Sequence, residues 1–192
     1  EKLKRIIEPD TGIITNIGDA HNENFTGMEE KLREKLMLFH DVSRIIYCRD
    51  HTLVNKLITS DPHLRTKELT DWSCSNTDAA IYVKITPNPS GRTNAEMRWK
   101  GKTVNFVIPF IDRASVENAL TVASACMVLG IKTETIRRGL SGLVPVAMRM
   151  EIKSGVNNCQ LIEDYYNSDP GSLGMALDYL RGQKIRKATL IL

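Results

Sequence analysis

The chain has 192 residues, a formal net charge of +3, 42% hydrophobic residues and 26% charged ones. That length can bury a sizeable core of one domain or one and a half, and the composition is that of an ordinary globular protein. Lys and Arg are scattered rather than clustered, which argues against nucleic acid or a membrane surface as a partner.

Glu1 to Ile7 reads as the end of a helix, and Pro9-Asp10 as the turn into a first strand, the apolar run Gly12-Ile13-Ile14. Met28 to Phe39 has helical spacing, with Leu32, Leu36 and Phe39 on one apolar stripe. Arg44 to Cys48 reads as a second strand and Asp50 to Ile58 as a second helix, a rhythm that favours a mostly parallel sheet. From Ala79 to Pro109 the pattern turns to alternation. Ile81, Val83 and Ile85 form one run, Glu96 to Trp99 another and Val104 to Ile108 a third, with a short turn at Lys100-Gly101-Lys102, so an antiparallel meander is expected. Ser115 to Leu129 is a helix closed by Gly130, and Thr133 to Leu140 a second one. Pro145 marks a domain boundary, giving 1–144 and 145–192. Beyond it, Arg149 to Ile152 and Cys159 to Ile162 predict a hairpin, Ser172 to Leu180 a helix and Ala188 to Leu192 a strand.

No apolar run approaches the roughly 18 residues of a transmembrane helix, and no signal peptide is visible. Cys48, Cys74, Cys126 and Cys159 show no C-x-x-C pairing. Buried, reduced thiols in a cytoplasmic protein fit this pattern better than disulfides or zinc.

The polar stretch Thr15-Asn16-Ile17-Gly18-Asp19-Ala20-His21-Asn22-Glu23-Asn24-Phe25 begins where the first strand should stop. In open α/β sheets, ligands collect beyond the carboxyl ends of the strands. His21 and Glu23 are therefore placed for chemistry, although a lone His after a strand is more often a structural hydrogen-bonder than a ligand. On the helix that follows, Lys31 and Lys35 are four apart and so near neighbours. Read alone, Lys35 is a surface lysine and Glu23 a solvated loop carboxylate.

The T-N-I-G-x-A-H-x-E-x-F string, with Glu34-Lys35-Leu36-Met37-Leu38-Phe39 after it, resembles the Mur ligases, ATP-dependent amide-bond-forming enzymes of peptidoglycan synthesis. It is most similar to the branch that adds D-alanyl-D-alanine to UDP-muramoyl-tripeptide. The resemblance implies an α/β fold, namely a Mur ligase central domain with a mostly parallel sheet, an antiparallel meander and flanking helices. The start of a Rossmann-like C-terminal domain would follow. It implies ATP and Mg²⁺ as cofactors, His21 as a ligand of the second metal ion, and Lys35 as a lysine carbamylated by CO₂ into an anionic oxygen ligand. Glu23 would be a further metal or substrate contact, and Lys31 competes with Lys35 if the register shifts by one helical turn.

Three more positions carry the resemblance. Asn118, before Ala119, matches the Asn whose amide meets the adenine edge, whereas Ala114-Ser115 replaces the family's His-Asn pair. Arg149 matches an Arg that reaches the nucleotide phosphates, a task suited to a planar guanidinium. Ile162-Glu163-Asp164-Tyr165-Tyr166-Asn167-Ser168-Asp169-Pro170 resembles the family's I-D-D-S-Y-N-A-N-P, with Tyr165 in place of Ser. There Asp164 would accept from ribose hydroxyls, and Tyr166 and Asn167 would line the nucleotide. Read without the family, the segment is a Pro/Gly-rich lead into the next helix, and Asn118 is a capping or packing amide.

No G-x-x-x-x-G-K-[ST] phosphate loop occurs. The expectation is therefore a middle piece of an enzyme, inactive by itself, with the domains for the UDP-muramoyl-tripeptide and D-alanyl-D-alanine largely elsewhere. The two departures resemble the form fused to an alanine racemase. The alternatives are another Mur or folylpolyglutamate-type ligase, whose strings tend to be D-H-x-D-like, and a non-catalytic nucleotide-binding module.

Overall fold

A computed structural model describes residues 8–18, 25–144, 151–165, 170–182 and 187–191. They fall into two compact units, the break coming after Leu143; Gly18 clusters with the second unit.

The first unit is built on one six-stranded sheet in the order β1-β2-β3-β4-β5-β6. The strands are β1 (Thr11–Ile14), β2 (Arg44–Cys48), β3 (Glu68–Ser73), β4 (Ile81–Asn88), β5 (Arg92–Trp99) and β6 (Lys102–Ile108). β1 to β4 run parallel, and β4, β5 and β6 pair antiparallel. The helices are α1 (Met28–Leu36, continued by a 3₁₀ turn at Met37–Phe39), α2 (Thr52–Ser60), α3 (Arg113–Val128) and α4 (Thr133–Ser141). This is the expected parallel sheet with an antiparallel meander.

Local chemistry accounts for most boundaries. In α2, Val54, Leu57 and Ile58 are buried at helical spacing, and the helix stops at Asp61, which is extended because Pro62 follows. α1 carries Glu29 and Glu30 in its first turn and Arg33 and Lys35 in its last, the order its dipole favours. α3 is capped by Asp112, whose side chain accepts from Ser115 N at 2.8 Å. It ends at Gly130 (φ 76°), where Gly130 N donates to Met127 O and Ile131 N to Cys126 O, the paired bonds of a Schellman motif. Lys100 (φ 47°) and Gly101 (φ 74°) form the two-residue turn that joins β5 to β6.

The core has two layers, one on each face of the sheet. On one, Ile14, Ile45 and Tyr47 meet Leu32 and Leu36 of α1 and Val54, Leu57 and Ile58 of α2. On the other, Cys48, Trp72, Ile81, Val83, Met97, Phe106 and Ile108 meet α3 and α4 through Val116, Ala119, Leu120, Ala123, Ile136 and Leu140. β2 is buried on both faces from Ile45 to Cys48, as a central parallel strand should be.

The structure differs from the sequence reading in four places. β3 was not expected; its residues Glu68-Leu69-Thr70-Asp71-Trp72-Ser73 carry too few apolar side chains to signal a strand, yet Thr70, Trp72 and Ser73 are buried. Ile13 is 42% exposed because β1 is an edge strand among the described residues, and only Gly12 and Ile14 face the core. Ile85 is 45% exposed, because β4 runs past the cover of α3 and α4. Residues 187–191 have no regular structure: a strand needs a neighbour for its N–H and C=O groups, and none pairs with this segment among the described residues. The expected helix at Glu1 to Ile7 lies outside the described residues.

In the second unit, β7 (Glu151–Ser154) and β8 (Gln160–Glu163) form the expected hairpin, with a 3₁₀ turn at Val156–Asn158, and α5 (Pro170–Gly182) follows. Lys153 lies 2.7 Å from Glu163 and 3.3 Å from Glu151, and the bond it donates to Glu163 is foremost in holding its ammonium above the usual lysine range.

Candidate functional site

β2 and β3 run side by side and end in polar loops at the same edge of the sheet, Arg49-Asp50-His51 after one and Cys74-Ser75-Asn76 after the other. Asp50 ties the two together. Its carboxylate accepts from the Ser73 hydroxyl, from Ser75 Oγ at 2.5 Å and from Cys74 N at 2.8 Å. Burial pushes the Asp50 carboxyl up, but these bonds from Ser73, Ser75 and Cys74 together outweigh it and hold the group below the ordinary Asp range. Arg49 meets Asp71 at 3.1 Å, and Asp71 accepts from Ala80 N at 3.0 Å, so the loop into β4 is held as well. The web fixes the backbone at the carboxyl ends of the parallel strands, where the fold leaves room for a ligand.

Into this edge comes the beginning of α3. Its inner face, Val116, Ala119 and Leu120, packs on Cys48 and Trp72. Glu117 stands beside that face and binds His51 Nε2. The ring nitrogen that faces the carboxyl oxygen is Nε2, which pairs with it by donating a hydrogen. His51 is also the residue from which α2 starts, and it caps that helix with no side-chain bond. The His51–Glu117 contact thus joins the start of α2 to the second turn of α3, two helices lying on opposite faces of the sheet.

Two thiols lie under the web. Burial raises Cys48 to about 12 and Cys74 to about 11, and the negative charges of Asp50 and Glu117 act in the same direction. Neither is a nucleophile at neutral pH. All four cysteines are free, but only Cys48 is buried; Cys74 and Cys126 are half-buried and Cys159 is exposed, against the expectation of buried thiols.

Of the residues singled out in the sequence, Asn118 is exposed in the second turn of α3, and Asp112 already caps the helix, so the amide neither caps nor packs into the core. Lys35 is exposed on α1, whereas Lys31, one turn earlier, is buried at 2%. In the second unit, Asp164 is half-buried just after β8 and Tyr165 is exposed. His21, Glu23, Arg149, Tyr166 and Asn167 lie outside the described residues. Among the described residues no group of three His, Cys, Asp or Glu could hold a metal ion.

The sequence reading missed Asp50, Ser73, Ser75, His51 and Glu117. A signal existed: two strands each followed at once by a run of Asp, His, Ser and Asn. It was hidden because β3 itself was not recognised.

Comparison with known proteins bears on this architecture. Residues 1–126 match the family described as the Mur ligase middle domain. The UDP-N-acetylmuramoyl-tripeptide–D-alanyl-D-alanine ligase of Bacillus subtilis (strain 168) is 26% identical over 175 residues, covering 91% of this chain and 37% of the relative. The UDP-N-acetylmuramate–L-alanine ligase of Francisella tularensis subsp. tularensis is 29% identical over 170 residues, 83% of this chain and 36% of the relative. Among solved structures, MurF from Acinetobacter baumannii superposes with a TM-score of 0.79 at 20% identity, over 94% of this chain and 39% of that one. MurF from Thermotoga maritima in complex with ADP gives 0.73 at 17% identity, over 93% and 40%. The chain thus spans about two fifths of the length of the proteins it matches. With the mixed six-stranded sheet and a middle-domain match along about two thirds of its length, the chain belongs to the Mur ligase family.

Proposed function

We propose that the protein carrying this chain is an ATP-dependent ligase that joins D-alanyl-D-alanine to a UDP-muramoyl-tripeptide in cytoplasmic peptidoglycan synthesis. The observation that carries this reading is membership of the Mur ligase family together with the T-N-I-G-x-A-H-x-E-x-F string. Residues 1–144 are read as the later part of the middle domain and 145–192 as the start of the C-terminal domain. The break between compact units after Leu143 supports that division.

The reaction runs in two steps. The terminal carboxylate of the tripeptide takes the γ-phosphoryl group of ATP, giving an acyl phosphate and ADP. The amine of D-alanyl-D-alanine then attacks the acyl carbon, phosphate leaves, and the amine gives up a proton. The protein's part is positioning and neutralisation of phosphate charge. Asn118, exposed on α3, is read as the contact to the adenine edge. Arg149 is read as a phosphate contact, Asp164 as an acceptor from the ribose, and Tyr166 and Asn167 as further lining. His21, Lys35 as a carbamate and Glu23 are the residues that would hold Mg²⁺. The exposed position of Lys35 is compatible with CO₂ reaching its amine. Mg²⁺ would supply charge neutralisation on the phosphates.

The test is phosphate release, with the product identified by mass, from the full-length protein given ATP, Mg²⁺, UDP-muramoyl-tripeptide and D-alanyl-D-alanine. Release that needs the dipeptide supports the reading. The second reading, favoured by the 29% identical Francisella relative, is a sister ligase with another acceptor. Release with UDP-N-acetylmuramate and L-alanine, or with a folate and glutamate, would establish it instead. Binding of ATP with no turnover of any pair would leave a non-catalytic nucleotide-binding module.

A further inference from the structure

We propose that His51 and Glu117 are positioning residues: their contact latches the start of α3 onto the loop after β2 and so sets where Asn118 stands. The inference rests on the reading of Asn118 as the adenine contact and adds two residues to it.

Three observations converge. Glu117 and Asn118 are consecutive in the second turn of α3, so any shift of Glu117 moves the Asn118 backbone with it. The side chains of His51 and Glu117 are about one-fifth exposed, shielded enough for a specific bond to hold against water. The His51 loop is itself immobilised, because its neighbour Asp50 is bonded to Ser73, Cys74 and Ser75. The latch therefore connects α3 to a fixed reference, the ends of β2 and β3. On the other side, Thr121 Oγ1 donates to Glu117 O at 3.0 Å and stays within the helix. Arg113 reaches Glu117 only at 4.0 Å and is 86% exposed, so it is no second anchor.

Removing the latch leaves α3 packed through Val116, Ala119, Leu120 and Ala123, so the fold survives while the base contact loosens. The phosphates, held elsewhere, are not affected. The full-length protein is compared with H51A, E117A, H51A/E117A, R113A and N118A. Measurements are KM for ATP, kcat, thermal midpoint, and inhibition by inorganic tripolyphosphate, which has phosphates but no base. Expected is a rise in KM for ATP of about ten-fold in H51A and in E117A, with a much smaller change in kcat. The double variant should be no worse than either single one. R113A should behave as the parent, and inhibition by tripolyphosphate should be unchanged throughout.

If N118A weakens ATP binding while H51A and E117A do not, the latch is overturned and the Asn118 reading stands. The latch also fails if R113A reproduces E117A, since diffuse charge would then explain the effect, or if tripolyphosphate weakens in parallel with ATP. If N118A leaves the KM for ATP unchanged, the Asn118 reading is wrong and the latch falls with it.

Discussion

Lys31 and Lys35 stand one turn apart on α1, and the first is buried at 2% while the second is exposed. A buried ammonium is tolerated only where it is paired, so Lys31 is bound into the fold and Lys35 is available to chemistry. Lys31→Ala should lower stability by about 2 kcal/mol, read as a fall in thermal midpoint of roughly 5 °C. Lys35→Ala should leave the midpoint within about 2 °C, as befits a surface change. Turnover of the full-length protein should instead fall at least about a hundred-fold if Lys35 serves the metal site. The reverse pattern would move the metal-site reading to Lys31.

Phe39 lies across Gly12 so closely that a Cβ on Gly12 would come within 1.9 Å of its ring. Gly12→Ala should therefore cost about 1–3 kcal/mol, measured by urea unfolding. Phe39→Leu in the same chain should recover part of that loss. Lack of recovery would show that the strain lies in the backbone rather than against the ring.

Acid should act on the Asp50 web in a defined direction. The folded carboxyl is held below its ordinary value, so it contributes stability above the unfolded value and loses it as pH falls through the folded one. Asp50→Asn should be less stable than the parent at pH 7. The gap should narrow as the pH is lowered below about 4, and thermal melts across that range would show it. A gap that stays constant down to pH 2 would deny the carboxylate this role.

Thiol labelling should separate the four cysteines. At pH 8 Cys159, exposed on the hairpin, should react quickly with a chromogenic disulfide, and Cys48 only on unfolding. Peptide mapping after brief alkylation checks the order. Early labelling of Cys48 would mean that the end of β2 opens more readily than its packing implies.

Much of the fold could be read from side-chain period. β2 and α2 carry dense apolar spacing, and α3 announces itself through Asp112 at one end and Gly130 at the other. β3 could not be read so, because Ser73 is buried with its hydroxyl in the Asp50 web and Thr70 by its place in the sheet, not for hydrophobicity. The same gap hid the web around Asp50, which exists only once β2 and β3 are neighbours. Asn118 and Lys35 were singled out only by resemblance to short family strings, and the structure adds that both are exposed. His51 and Glu117, 66 residues apart, share nothing in the sequence that pairs them.

The sheet changes from parallel to antiparallel beside a narrow seam. β3 and β4 are in register only at Trp72 with Ile81 and Ser73 with Tyr82, whereas β4 and β5 match along eight positions. Backbone bonds alone would let the two halves of the sheet twist about that seam. Cys48 and Trp72 on one side of it and Val83, Met97 and Phe106 on the other all belong to the layer that α3 and α4 cover. The helix layer is thus a splint across a weak joint, and hydrogen exchange along β4 should report the loosening of α3 before that of any strand.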